Sequence, residues 1–192
     1  MDFVTALGGI GAAFGLATSA GLNAYIPLLI VALVARFTDL IRLAEPYDLL
    51  TSWWVIGLLG VLLVVEMLVD KVPAIDSAND IVQTFIRPAA GAILFAANAG
   101  VINDISPVVA LVAGLLLAGT VHTTKVAARP VVTATTAGMG NWFVSLLEDI
   151  AATIMSLLSV IVPILMLFAS VLLVYLVVRL WRRRKRPAYA EA

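Results

Sequence analysis

The chain contains no cysteine, which removes disulfides, thiolate metal sites and thiol nucleophiles together and gives no handle on redox compartment. Charge is scarce as well: Asp, Glu, Lys and Arg supply 12% of 192 residues and cancel to a net charge of zero, whereas roughly a quarter of the residues in soluble domains are charged. The one histidine, His122, stands without the HExxH spacing of zinc hydrolases. A GxSxG elbow and prenyltransferase-like acid repeats are also missing. Outside the C-terminal tail no basic patch is interleaved with aromatics, so no nucleic acid is expected as a partner. The N-terminus lacks the basic n-region of a cleavable signal peptide and reads as structure.

What the chain has in excess is apolar side chains: 62% are hydrophobic and the mean hydropathy is +1.09. Lipid is the solvent such a composition suits, and the chain reads as an integral membrane protein. At about 20 apolar residues per crossing, it accommodates an all-α bundle of about five spans plus two polar re-entrant or interfacial helices. The spans expected are Ser19 to Ala35, Val55 to Val69, Pro88 to about Gly100, Val108 to Val121, and Ile150 to Leu180 interrupted by Pro163. Residues 1–181 then form one membrane domain and 182–192 a basic tail.

The polar connections carry the information. Asn23 and Pro27, inside GLNAYIP, lie at membrane depth and are candidates to break a helix, as are Pro73, Pro88 and Pro130. Between two apolar runs stand Glu66, Asp70, Lys71, Asp76, Asp80 and Arg87. Glu66 and Asp70 are four apart, as are Asp76 and Asp80, which places each pair on one helical face. Pro73 to Arg87 is too polar to cross lipid alone and reads as an amphipathic helix. A second polar group follows, with His122, Lys125 and Arg129 in HTTKVAARP and Asn141, Glu148 and Asp149 in GNWFVSLLED. Ionisable residues inside membrane segments are costly and mark functional sites by default, so these twelve residues form the candidate substrate or ion site. Arg87 is expected to neutralise Asp76 or Asp80. No cofactor is expected, although the carboxylates are hard oxygen ligands suited to a bound cation.

Arg182 to Arg186 directly after an apolar helix indicates a cytoplasmic C-terminus. A shift of 54 positions superposes Gly60 on Gly114, Leu63 on Leu117, Lys71 on Lys125 and Val72 on Val126, which suggests repeats over about 19–87 and 89–149.

At GLNAYIPLL, VEMLVDKVPAIDSANDIVQTFIRPAAGA, HTTKVAARP and GNWFVSLLED the chain resembles a family of small bacterial membrane proteins classified only as a domain of unknown function, number 4126. The resemblance covers nearly the whole chain except the tail. It implies a bacterial inner-membrane location and points to the same polar residues, and it carries no substrate, reaction or catalytic role.

The function expected from the residues is transport or permeation of a small solute, ion or lipid headgroup. A non-transporting scaffold or assembly factor is the alternative. A third reading is a metal-dependent enzyme acting on a lipid phosphate; Asp76 to Asp80 lacks the DGxxAR prefix of the CDP-alcohol phosphotransferases, which weighs against it. Gly/Ala-rich faces at Gly8 to Gly15 and Gly91 to Ala97 suit close helix contacts and a homodimer.

Overall fold

The computed structural model describes residues 3–43, 45–69, 73–99, 105–136 and 139–184, with backbone only for 3–5, 73–78, 99, 139 and parts of 164–184. These residues form seven α-helices: α1 Phe3–Leu22, α2 Tyr25–Phe37, α3 Trp53–Val69, α4 Pro73–Ala99, α5 Pro107–Thr136, α6 Met139–Ile161 and α7 Pro163–Arg184. The all-α membrane bundle is as the composition implies. Within it the helix boundaries differ from the sequence expectation in instructive ways.

Helix α1 is the hub, packed against α4, α5, α6 and α7. Ala13, Leu16, Ala17 and Ala20 recur at helical spacing and are fully buried, and such small side chains let neighbouring helices approach closely. The tightest approach is between α4 and α5. A Cβ on Gly114 would run into the backbone oxygen of Gly91 and lie 2.6 Å from Phe95 Cβ, so the absence of a side chain there sets the interaxial distance. Phe14 of α1 closes against Phe95 of α4 edge to face, with ring centroids 5.2 Å apart.

The expected first span is broken at Asn23, between α1 and α2, and not at Pro27. The side-chain oxygen of Asn23 accepts hydrogen bonds from the N–H groups of Tyr25 (3.0 Å) and Ile26 (3.1 Å), capping donors that a helix start leaves without partners. Pro27 falls in the first turn of α2, where its missing N–H costs nothing. Pro73 begins α4, as a proline can. Pro88 and Pro130 break nothing: α4 continues through Pro88 and α5 through Pro130. The polar segment before Pro88 is therefore the N-terminal half of a 27-residue helix, and HTTKVAARP with its threonine run is the C-terminal half of a 30-residue one. Thr133, Thr135 and Thr136 each donate their hydroxyl four residues back, to the carbonyls of Arg129, Val131 and Val132. At the other expected interruption the chain does break, between Ile161 and Pro163.

Among the described residues three helical segments are long and apolar enough to cross a membrane: Asn79–Asn98, Pro107–Thr136 and Gly140–Ile161. Ala6–Leu22, Tyr25–Phe37 and Trp53–Val69 are shorter apolar helices. Trp53 and Trp54 are exposed at the start of α3. The guanidinium of Arg36 lies 4.2 Å from the centre of the Trp53 ring and donates to the Thr51 carbonyl at 2.6 Å. A cation on an exposed tryptophan at a helix end is the arrangement expected of a membrane–water boundary.

Candidate functional site

The polarity of the bundle is inverted relative to a water-soluble protein. Phe85 of α4 is 77% exposed while Arg87, two residues on, is 1% exposed, and Glu66 is 2% exposed between outward-facing Val65 and Met67. Helical spacing explains how an amphipathic helix achieves this. On α4, Asp80, Gln83, Thr84 and Arg87 fall at i, i+3, i+4 and i+7, one continuous stripe. On α5, His122, Lys125 and Arg129 do the same, and on α6 Ser145, Glu148, Asp149, Ala152 and Ser156 do. These stripes meet, and the charges they carry find one another in the interior.

The deepest pair is Glu66 Oε1 with Arg87 Nη2, 2.9 Å apart, each side chain 1% exposed. Arg87 Nη1 also lies 3.4 Å from His122 Nδ1. A guanidinium can only donate, so Nδ1 is the accepting nitrogen, and the proton of a neutral His122 sits on Nε2, 3.0 Å from Thr84 Oγ1. Thr84 passes its own hydroxyl proton to the carbonyl of Asp80 at 2.8 Å. Glu66, Arg87, His122 and Thr84 thus form a hydrogen-bonded chain across α3, α4 and α5.

A second group lies one turn further along α5. Arg129 Nη1 is 3.2 Å from Asp80 Oδ2, and its Nη2 is 3.1 Å from Ser145 Oγ and 3.9 Å from Glu148 Oε2. Lys125 Nζ lies 2.7 Å from the same Glu148 oxygen. Lys125 also reaches the Leu22 carbonyl, the last of α1, at 3.5 Å, where the negative end of the helix dipole favours a cation. Beside it, Asn23 Nδ2 donates to Asp149 Oδ1 at 2.9 Å. The break between α1 and α2 is therefore held from both sides, by Lys125 at the carbonyl end and by Asn23 and Asp149 at the amide end. Ser19 extends the polar seam, its hydroxyl 2.8 Å from Ser156 Oγ and 2.8 Å from the Ala152 carbonyl.

The structure corrects the expected pairing of Arg87 with Asp80: the described partner of Arg87 is Glu66, and Asp80 pairs with Arg129. Asp70 and Lys71 lie outside the described residues, as does the side chain of Asp76. Asn141 lies apart from the cluster: it hydrogen-bonds Thr133 at 2.9 Å near the α5–α6 turn. The remaining predicted residues, Glu66, Asp80, Arg87, His122, Lys125, Arg129, Glu148 and Asp149, are brought together. Sequence reasoning missed Gln83, Thr84 and Ser145. Their signal was their place on the charged stripes, three or four residues from a charge.

Two polar atoms on the buried face of α4, Gln83 Oε1 and Arg87 Nε, have no hydrogen-bond partner among the described residues. Among the described residues no group of three acidic or histidine side chains is arranged to hold a metal ion; Asp80 and Glu148 face cations of the protein itself. Outside the ionic core, a groove of about 390 Å³ opens between α2, α3 and α6. It is lined by aliphatic residues including Ile26, Leu63, Met67 and Ile150, with Asp149 and Thr153 as its polar members. Its wall meets the core at Asp149.

Apolar helices turned outward around an interior of ion pairs, with one helix broken at their level, define an integral membrane protein with an ionic core. The chain belongs to the family described as Domain of unknown function (DUF4126), whose model matches residues 10–183. Comparison with curated proteins and with solved structures yields no match.

Proposed function

We propose that this protein moves a small solute or ion across the membrane, with the ionic core at the α1–α2 break as its working site. The observation that carries this reading is a core of ionisable side chains from α3, α4, α5 and α6 that reaches the two ends of a broken helix through Lys125 and Asp149. Paired half-helix ends supply partial charges and unsatisfied backbone groups at membrane depth, which is how transporters build sites there. Gln83 Oε1 and Arg87 Nε, without a hydrogen-bond partner among the described residues, add to it, because a buried polar atom of that kind calls for an explanation such as water or a bound solute. The site is proposed to lie in a bacterial inner membrane with the C-terminal arginines cytoplasmic, and a homodimer is proposed as the assembly. The test is reconstitution into liposomes with radiolabelled or dye-reported ions and small metabolites. Uptake above protein-free liposomes that is lost in Lys125→Gln supports the reading, and uptake unchanged by that substitution removes the site from the pathway.

A scaffold role is the second reading, and one observation favours it: the groove is apolar, and Asp80 and Lys125 do not line it. In that reading the ion pairs only fasten the helices. A stable variant with a pair neutralised on both sides would then keep its cellular function.

A further inference from the structure

The groove between α2, α3 and α6 has a lining that the ion pairs do not use. On α6, Leu146, Asp149, Ile150, Thr153 and Ile154 follow the i, i+3, i+4, i+7, i+8 spacing of one helical stripe, and all five line it. The opposing walls, from α2 and α3, are wholly apolar, with Ile26 and Leu63 among them. At about 390 Å³ the groove falls within the ~300–1,000 Å³ of small-molecule sites. Among the described residues that line it, Asp149 is the one that ionises and none is basic. Its polar patch presents acceptors. The Asp149 carboxylate takes the Asn23 amide on Oδ1 at 2.9 Å, and Thr153 commits its hydroxyl proton to the Asp149 carbonyl at 2.8 Å, which leaves the hydroxyl oxygen as an acceptor. Lys125 and Arg129 are engaged behind this patch, on Glu148.

The patch is also deep. Asp149 is bonded to Asn23 at the start of α2, and Arg36, stacked on Trp53 at the membrane boundary, stands near its end. With α2 along the membrane normal, Tyr25 to Arg36 spans about 17 Å at about 1.5 Å per residue, in a hydrocarbon core about 30 Å thick. A phospholipid held by its headgroup at either boundary would bring only methylenes to this level. Asp149 lies where an ionisable group is costly and marks function by default.

We infer that this groove binds a lipophilic monovalent cation, an alkyl- or arylammonium or its phosphonium equivalent, with its apolar body on the aliphatic walls and its charge beside Asp149 and Thr153. The inference rests on the transport reading for a role in flux and gives that reading a substrate class. The acid sets the sign of the charge, and a single ionisable lining residue suits one charge. The apolar walls demand an organic body: a bare calcium ion takes about six to eight oxygen ligands, which this lining does not supply.

Binding is measured on the full chain in a maltoside detergent with radiolabelled tetraphenylphosphonium, a single positive charge inside an apolar shell, at constant ionic strength. Saturable, stoichiometric binding is expected. Octyltrimethylammonium should displace the label, whereas octanol and octanoate, of the same chain length but neutral and anionic, should not. Displacement by all three alike would show that any apolar chain fills the groove and would overturn the inference, as would the lack of saturable binding. This series needs no variant to fold. Two substitutions then place the site. Asp149→Asn should weaken binding by about tenfold or more, as loss of a charge partner does. Leu63→Trp fills the groove from α3 without touching a polar group and should weaken it too; a folded Leu63→Trp that binds like the unsubstituted protein would contradict the location. Binding without tetraphenylphosphonium flux in liposomes would leave the site standing and sink its role in transport; flux of another solute without such binding would do the reverse.

Discussion

At the scale of single residues, the pairing of Glu66 with Arg87 is the contact on which the interior depends most. Both side chains are almost wholly withdrawn from solvent, so removing one partner strands a charge where burial is expensive. Arg87→Ala is expected to cost about 3–5 kcal/mol, and Glu66→Gln combined with Arg87→Gln should recover much of that loss by removing both charges. Thermal unfolding of Arg87→Ala, Glu66→Gln, Arg87→Gln and the double variant in one detergent checks this, and additive losses from the two Gln substitutions would contradict the pairing. The contrast is Arg42 with Asp39, 3.4 Å apart but 84% and 93% exposed, where Asp39→Asn should leave Tm unchanged within error because exposed pairs contribute little. Asn23 has two duties, capping α2 and holding Asp149. Asn23→Ala is expected to cost at least the ~1 kcal/mol of a lost cap, and Asn23→Ser, which keeps a capping oxygen but not the amide donor, should recover only the capping share.

At the scale of helices, the α4–α5 crossing fixes where the charged stripes meet. Gly114→Ala would push its Cβ into Gly91 and Phe95, and overpacking of that kind costs about 1–3 kcal/mol. Gly57→Ala on α3 meets nothing within 4 Å and should be neutral or stabilising by about 0.5–1 kcal/mol, as expected for alanine over glycine in a helix. Tm values for the two variants, measured side by side, test whether close approach is what Gly114 provides. The same helices show what was legible in the sequence. Hydropathy identified the all-α membrane bundle, and the rarity of charge in apolar surroundings picked out eight residues that do converge. The partner of Arg87 was not legible, because pairing across helices depends on register: Asp80 is nearer in sequence, but Glu66 on α3 is the carboxylate that α3–α4 packing presents. Prolines misled for a related reason. Pro88 and Pro130 sit where long helices absorb a missing N–H, whereas the true break at Asn23 is made by a side chain that caps one helix and braces another. Thr84, Gln83 and Ser145 carry no charge and were passed over, although each lies three or four residues from a charge on its own helix.

At the scale of the whole molecule, the question is whether the ionic core is sealed or visited by water. A transporter must open its interior to each side in turn, while a fastening of helices has no reason to open. The absence of cysteine makes the question answerable without knowing the substrate, because one introduced thiol is the only one present. Ser145→Cys places a near-isosteric thiol beside Arg129 in the core, and Asp39→Cys places one in the exposed α2–α3 connection as a control for sidedness. Vesicles of known and opposite orientation are treated with a membrane-impermeant thiol reagent, and labelling of folded, inserted protein is quantified. Asp39→Cys should react from one side only. Transport through the core predicts that Ser145→Cys reacts from both sides, each more slowly than the loop control; a Ser145→Cys thiol that stays unreactive from both sides in stable, correctly inserted protein would contradict it.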